Sequence, residues 1–242
     1  MNTVYKDILG AVANKKNLLA ILIDPDKITI DQLPSLMQKV NSSIVTHVFV
    51  GGSTVNEGVM DKFTGLLKEQ TSLPVVIFPG DITQISNEAD ALLFLSLISG
   101  RNPDYLITKH IEAVDRLQDM DLEVIPTGYI LIENGKETTV QRVSRTAPMS
   151  RDNVSLISNT ARAGELLGMK LIYLEAGSGA MHPINEEIIF AVRSTINVPL
   201  IVGGGIRNTN ELAKAFNAGA NLVVIGTAFE ENQSLIQELT LP

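Results

Sequence analysis

The sequence predicts an α/β protein, a (β/α)8 TIM barrel with a reduced third helix, formed by residues 1–242 as a single domain. Three observations lead to this prediction. The chain contains eight apolar blocks of strand length, most of them separated by amphipathic segments of helix length, and its 242 residues contain no linker or shift in composition. Such repeated alternation in a chain of this size is typical of a barrel. An open, doubly wound sheet is the alternative architecture.

The eight blocks are nearly continuous apolar runs, as expected for parallel strands that are buried on both faces. They occupy residues 18–24, 46–53, 73–81, 91–99, 122–132, 170–178, 199–206 and 221–229. The amphipathic segments occupy residues 31–41, 54–70, 104–120, 151–168, 185–195 and 208–218. Each strand except the third is therefore expected to be followed by a helix or a long loop.

Two connections depart from the regular pattern. Only "ITQISNEAD", residues 82–90, joins strands 3 and 4, so the helix layer is expected to be thin there. An exposed apolar wall at this place suits either the packing of another subunit or a groove for an apolar ligand. Residues 133–153 after strand 5 form a long polar stretch with three arginines. Such a stretch is either a solvated loop or a functional lid.

Composition excludes several classes of function. The chain has no cysteine, which rules out disulfides, thiolate nucleophiles and iron–sulfur clusters, and it has a formal net charge of −8 without a basic run. Nucleic acid is therefore not an expected partner. No apolar stretch approaches the ~18 residues that predict a membrane span. The expected location is the cytoplasm.

Glycines end two neighbouring strands of the predicted barrel. Strand 7 ends in Gly203, Gly204 and Gly205, and strand 8 ends in Gly226 and Thr227. Phosphate sites formed by the loops after strands 7 and 8, with a helix N-terminus nearby, recur in this fold. The spacing therefore predicts a phosphate site, while tight turns are the simpler explanation for any single glycine.

Acidic and hydroxyl residues follow strands 1 and 2. "LIDPDK" places Asp24 at the barrel rim and Asp26 one step outward, and "GGST" places Ser53 after strand 2. Carboxylate and hydroxyl oxygens at a cleft suit Mg²⁺, which commonly shares its ligands with phosphate. Helix capping and turn formation are the alternative roles for both motifs.

Strand 6 ends in "YLEAGSGA", which brings a carboxylate to the barrel mouth. Because side chains alternate along a strand, Tyr173 and Glu175 point inward if Leu174 packs outward. A Glu at this place can bind hydroxyl groups or accept a proton, or it can be a hydrogen-bonded structural residue. Ser178 adds a hydroxyl donor.

The remaining polar candidates are weaker. His47 and His110 are expected to be structural or exposed, whereas His182 follows the strand 6 loop. Lys27 and Lys109 are possible phosphate ligands, with solvated lysines as the alternative.

Five motifs in order along the chain resemble the geranylgeranylglyceryl phosphate synthase family of barrel prenyltransferases. They are "LIDPDK", "VGGST", "YLEAGSGA", "VGGGIR" and "VIGTAFEEN", between residues 18 and 232. "PTGYILIENG" and the loop ending in "SRTAP" are similar to the longer subgroup of the family. The related heptaprenylglyceryl phosphate synthases, which use a longer prenyl donor, are the closest alternative.

The resemblance implies a Mg²⁺-dependent transfer of a prenyl group from an allylic diphosphate to the C3 hydroxyl of sn-glycerol 1-phosphate. It implies that Asp24 and Ser53 hold the metal, and that Glu175 and Asp24 are the catalytic residues. The residues implied to bind glycerol phosphate are Tyr173, Leu174, Glu175, Ala176, Gly177, Ser178, Gly179, Gly204, Gly205, Gly226 and Thr227.

Further expectations concern the lipid part of the reaction. The prenyl tail is expected to run through the thin region by strands 3 and 4, past Leu95. A homo-oligomer, at least a dimer, and membrane contact during product release are also expected. A sugar-phosphate isomerase and a non-catalytic sensor of phosphate ligands are the competing functions.

Overall fold

Eight parallel strands close into a barrel in chain order, with β1 paired to β8. The structure, a computed structural model, describes residues 3–52, 58–232, 235–239 and 241. The strands are β1 (Leu18–Ile23), β2 (His47–Val50), β3 (Val75–Ile77), β4 (Ala91–Ser96), β5 (Glu123–Leu131), β6 (Leu171–Glu175), β7 (Leu200–Gly203) and β8 (Leu222–Ile225). The predicted (β/α)8 fold class is confirmed.

Helices surround the strands and also occupy both ends of the barrel. They are α1 (Val4–Ala13), α2 (Leu33–Asn41), α3 (Val59–Lys68), α4 (Lys109–Leu117), α5 (Thr139–Ser144), α6 (Val154–Leu166), α7 (Glu186–Arg193), α8 (Thr209–Asn217), α9 (Thr227–Glu231) and α10 (Leu235–Glu238). Short 3-10 turns span Ile30–Gln32 and Ile82–Gln84, and a π-helical turn, Asp104–Thr108, leads into α4. The six predicted helical segments all contain helices.

Side-chain oxygens fix where several of these helices begin. Asn153, Asn185 and Asn208 each accept a hydrogen bond from the backbone N–H three residues later, at the start of α6, α7 and α8. Such caps satisfy backbone donors that have no partner within the helix. The N-cap position of α3 is taken by Gly58, whereas the capping role considered for the hydroxyl of Ser53 concerns a residue that the structure does not describe.

The core consists of two layers separated by the strands. Alternate strand residues such as Ile21, Leu174 and Val202 pack outward against the helices. The opposite set, which includes Tyr173 and Ile201, fills the barrel interior. This arrangement follows from the two-residue alternation of side chains along a strand. Val4 and Ile8 of α1 join the interior set and close the N-terminal end of the barrel.

The connection between β3 and β4 is the thinnest in the helix layer. It contains only the three-residue turn Ile82–Gln84, which confirms the predicted reduction of the third helix. β3 and β4 pair through two residues each, whereas β4 and β5 pair through six. The C-terminal half of β4 therefore has no strand neighbour on the β3 side.

The strands end earlier than the apolar blocks predict. The block at 199–206 ends as a strand at Gly203, because Gly204 and Gly205 take positive φ angles of 86° and 78°. Residues 133–153 form more than a loop, since they contain α5. Among the described residues, none of the helices has the length and apolar character needed to cross a bilayer.

His47 is the first residue of β2 and is buried, which agrees with the structural one of its two expected roles. Its Nδ1 lies 2.8 Å from the Thr46 hydroxyl, and its Nε2 has no hydrogen-bond partner within the described residues. Burial lowers the pKa of His47 to about 4, against a partial opposing effect of Asp7.

We expect His47 to make the fold sensitive to acid. The unfolded chain binds a proton near pH 6.5 while the folded chain resists it down to pH 4, so stability is lost as pH falls through this window. A pKa difference of this size corresponds to about 3 kcal/mol. Urea unfolding between pH 7 and pH 4 should show this loss in the wild type and much less in H47Q. H182Q, at an exposed histidine, is the control, and an equal loss in H47Q would contradict the prediction.

Candidate active site

A cavity of about 460 Å³ opens at the C-terminal end of the barrel. One end lies among the glycine loops after β6, β7 and β8, and the other lies among apolar side chains by β4 and α4. Of the residues predicted to form the site, those that line it are Asp24, Tyr173, Glu175, Gly177, Ser178, Gly179, Gly204, Gly205, Gly226 and Thr227. Leu174 and Ala176 instead pack into the outer core layer. Ser53 lies outside the described residues.

The loops after β6, β7 and β8 form a cradle of backbone amides. No hydrogen bond within the described residues uses the N–H groups of Gly204, Gly205 or Thr227. Thr227, at the start of α9, joins the loops because its hydroxyl lies 2.9 Å from that of Ser178 and accepts the N–H of Gly179 at 3.0 Å. Free amides beside a helix start are suited to bind an anion.

Gly204 makes this arrangement possible. Its φ of 86° is a left-handed conformation that residues with side chains rarely adopt. A Cβ at this position would lie 2.7 Å from Glu175 Oε1 and 2.8 Å from the nitrogen of Gly177. A glycine is therefore required for the loop after β7 to approach the end of β6.

Glu175 is a buried carboxyl group at the bottom of the cradle, with only 7% of its surface exposed. Its Oε1 accepts the N–H of Gly177 at 2.6 Å. Burial raises the pKa of Glu175 to about 7, although the Gly177 N–H and the Tyr173 hydroxyl act in the opposite direction. A carboxyl group with this pKa can exchange a proton at neutral pH. The inward orientation of Tyr173 and Glu175 that the sequence predicts is confirmed.

Three aromatic rings lie one layer deeper, below Glu175. The ring centroids of Phe78, Tyr129 and Tyr173 are 5.3–5.9 Å apart in each pair. Burial, together with the nearby Glu175, raises the pKa of both tyrosines well above its usual value, so both remain protonated. Aromatic faces are electron-rich and attract cations. This part of the cavity is therefore apolar but favourable for a positive charge.

Asp24 lies at the rim, at the end of β1. Its Oδ1 accepts the N–H of Asp26 at 3.0 Å, and its Oδ2 is 3.8 Å from Nζ of Lys27. Burial raises the pKa of Asp24, against the effects of these two neighbours. The carboxylate fits closely against Gly52, where a Cβ would lie 2.3 Å from Oδ1. Lys27 also forms an ion pair with Glu230 of α9 at 2.7 Å, so it links the rim to the cradle.

The side chains around Asp24 fit a Mg²⁺ ion only if phosphate oxygens of the substrate and water complete its coordination. No group of three or more His, Cys, Asp or Glu side chains that could hold a metal occurs in the described ranges. Mg²⁺ is commonly bound by one or two carboxylates together with substrate phosphates and water. Asp24 is a partly buried carboxylate that lines the cavity, so it can contribute one ligand to such a site.

The apolar end of the cavity lies where β3 no longer pairs with β4. Leu92, Phe94, Leu95 and Ala113 line it, and the His110 ring packs edge-on against Phe94 at 4.6 Å. His110 is thus part of the cavity wall. His182 is exposed and does not line the cavity.

Helix α5 covers this end, because Thr139, Val140, Val143 and Ser144 face the cavity. Two hydrogen bonds hold it: Tyr105 Oη donates to the carbonyl of Val143 at 3.2 Å, and Asn102 Nδ2 donates to that of Ser144 at 2.9 Å. The stretch at 133–153 therefore contributes an ordered cover. Movement as a lid stays a prediction.

Sequence reasoning missed several cavity residues. Tyr129 pairs directly with Tyr173 across β5 and β6, and the alternation along β5 would have identified it. Phe78 follows β3 and carries no such signal. Lys109, which the sequence did single out, lines the cavity but forms an ion pair with Asp81.

The closed (β/α)8 barrel, its amide cradle and the buried carboxyl group together are the architecture of a barrel enzyme with a site suited to an anion. Residues 12–240 match the PcrB family, and the chain belongs to that family. A geranylgeranylglyceryl phosphate synthase from Flavobacterium johnsoniae is 55% identical over 96% of this chain and 96% of its own. Another from Pyrococcus horikoshii is 41% identical over 91% and 87%.

Solved structures show the same relationship. The (S)-3-O-geranylgeranylglyceryl phosphate synthase from Thermoplasma acidophilum, in complex with its substrate sn-glycerol-1-phosphate, matches with a TM-score of 0.92. That structure is 30% identical and covers 98% of this chain and 96% of its own. The resemblance predicted from the sequence motifs is confirmed.

Replacing Gly204 by Ala should weaken binding of glycerol 1-phosphate by at least a factor of about ten, or about 1.4 kcal/mol. The added Cβ collides with Glu175 and disfavours the left-handed conformation on which the cradle depends. Calorimetric titration measures the affinity. Gly168→Ala is the matched control, since Gly168 also has a positive φ but has open space around it. Equal losses in both variants would show that general destabilisation, and not the change in the cradle, weakens binding.

Proposed function

We propose that this chain is a Mg²⁺-dependent prenyltransferase. It joins an allylic diphosphate, geranylgeranyl diphosphate, to the C3 hydroxyl of sn-glycerol 1-phosphate and releases diphosphate. The observation that carries this proposal is a single cavity with an amide cradle at one end, an apolar wall at the other and Glu175 between them. The names of the relatives support the same activity. They also favour the geranylgeranyl donor over the heptaprenyl alternative.

The cradle end accounts for glycerol phosphate. The free amides of Gly204, Gly205 and Thr227 suit the phosphoryl group, and the Ser178 hydroxyl adds a donor at the same place. Glu175 lies at the bottom of the cradle, where it can accept hydrogen bonds from the glycerol hydroxyls. Its raised pKa lets it take the proton of the attacking hydroxyl at neutral pH.

The diphosphate belongs at the rim beside Asp24. Asp24 would hold Mg²⁺ through its carboxylate, and Ser53 remains a proposed second ligand outside the described residues. The chemistry that Mg²⁺ would supply when held there is neutralisation of the charge that develops on a departing diphosphate. Five carboxyl groups line the cavity against three cationic side chains, namely Asp24, Asp26, Asp81, Glu175 and Glu230 against Lys27, Lys109 and Arg207. This surplus of negative charge favours a divalent cation between protein and diphosphate.

The reaction breaks the bond between the allylic carbon and the diphosphate oxygen, and forms an ether bond to the glycerol oxygen. The positive charge that develops on the allylic carbon is stabilised by the faces of Phe78, Tyr129 and Tyr173. The hydroxyl proton passes to Glu175. Apolar walls around Leu92, Phe94 and Leu95 accommodate the prenyl tail and exclude water, which would otherwise capture the cation.

Assembly and location follow as further parts of the proposal. Ile107, Ile111 and Val114 are exposed along one side of the π-helical turn and α4. We infer that this apolar stripe supports a homo-oligomer, at least a dimer. Cytoplasmic location with membrane contact during product release is compatible with the apolar end of the cavity.

The direct test is to incubate the purified protein with sn-glycerol 1-phosphate, Mg²⁺ and prenyl diphosphates of graded length. We expect ether product and diphosphate, greatest yield with geranylgeranyl diphosphate, and loss of turnover with EDTA that Mg²⁺ restores. Binding of glycerol phosphate without turnover of any donor would favour a phosphate-ligand sensor. Metal-independent isomerisation of a sugar phosphate would favour the isomerase alternative.

Glu175→Gln should lower kcat by a factor of about 10² to 10⁴, because the amide cannot accept the proton. Binding of glycerol phosphate should change little, since the Gln carbonyl can still accept the Gly177 N–H. In the wild type kcat/KM should rise with pH through about 7, the pKa of Glu175, as the reactive carboxylate forms. The variant should lack this dependence. Normal turnover by the variant would exclude Glu175 as the base.

A further inference from the structure

Residues 134–138, after β5, lie directly over the loop that follows β6. Asn134 is 2% exposed, and its Nδ2 donates a hydrogen bond to the carbonyl of Ala176. Thr138 is 3% exposed and packs on Gly177, where a Cβ would lie 2.3 Å from Thr138 Cγ2. Two buried side chains thus fix both ends of this segment on the cradle.

Lys136 is held between these two anchors. Its N–H donates to Asn134 Oδ1 at 3.2 Å, which directs the chain over the β6 loop. The Nζ lies 3.0 Å from the point that a Cβ on Gly179 would occupy, and this point is 4.0 Å from Thr227 Cγ2. Because the Gly179 N–H donates to the Thr227 hydroxyl, the ammonium group stands at the rim of the cradle.

The ammonium of Lys136 forms no ion pair with a carboxylate in the part of the chain that the structure describes. Two of the three cationic side chains that line the cavity are engaged in ion pairs, and the third makes a hydrogen bond to the backbone. Lys27 pairs with Glu230 and Lys109 with Asp81, and Arg207 donates to the carbonyl of Ala180 at 2.6 Å. A phosphoryl group carries a charge of about −2 at neutral pH. Without Lys136, only the amides, the Ser178 hydroxyl and Arg207 would balance this charge, in a cavity that has more carboxyl groups than cations.

We propose that Lys136 binds the phosphoryl group of glycerol 1-phosphate, an inference that rests on the proposed function. The long lysine side chain can turn from the rim into the cradle, and the missing side chain at Gly179 leaves room for this movement. The ammonium then adds a charge-assisted hydrogen bond to those of the amides. The contact is equally strong in the bound substrate and in the transition state. It therefore affects binding and not the rate of the chemical step.

The test compares K136M, K136R and K16M in steady-state kinetics, with calorimetric titration of glycerol 1-phosphate. K136M should raise KM for glycerol 1-phosphate and weaken its binding by about tenfold at low salt, while kcat and KM for the prenyl diphosphate stay within about twofold. K136R should recover most of the affinity because it keeps the charge. K16M, which removes a lysine before β1 at the opposite end of the barrel, is the control for net charge. The difference between wild type and K136M should shrink at high ionic strength.

Each outcome separates this inference from the proposed function. If the wild type turns over glycerol 1-phosphate and K136M has the same KM, Lys136 is not a phosphate ligand. A fall in kcat together with a lower melting temperature would assign Lys136 a structural role and also overturn the inference. A wild type that neither binds nor converts glycerol 1-phosphate would refute the proposed function, and the assignment of Lys136 with it.

Discussion

The close approach of Gly204 to Glu175 is the constraint on which the site depends. A buried carboxyl group is costly unless it is hydrogen-bonded, and the Gly177 amide meets this need at 2.6 Å. The amide can do so only because the neighbouring loop carries no side chain at Gly204. The same missing side chain leaves the amides of that loop accessible. One steric requirement therefore permits both the hydrogen-bonded, buried position of Glu175 and the anion cradle beside it.

The second determinant is the short connection between β3 and β4. A full helix at this place would continue the regular outer layer, whereas the turn Ile82–Gln84 leaves the side of β4 uncovered. The cavity extends into the resulting gap and becomes apolar there, with α5 as its cover. Polar and apolar binding regions are thus joined in one cavity by the omission of a helix. The chemistry proposed for this protein needs both regions in contact.

Much of the fold was predictable from the sequence because strands buried on both faces give continuous apolar runs. The spacing of glycines predicted the cradle, and the two-residue alternation of side chains predicted that Tyr173 and Glu175 point inward. The predicted strand ends were too long, because backbone conformations such as that of Gly204 cannot be recognised from hydrophobicity. Lys136 and Phe78 were missed since their roles arise from contacts between loops that are distant in the chain. No local pattern reports that Lys136 reaches Gly179.

The pairing of β3 with β4 through only two residues each also bears on how a product would leave. The proposed product has a phosphate group and a long hydrocarbon tail. Release through the cradle end of the cavity would be unfavourable, because the tail would have to pass several carboxylates. The gap beside β4 would let the hydrocarbon leave through the wall of the barrel, away from the carboxylates at the cradle. The short pairing of β3 with β4 would then provide the route by which the product leaves.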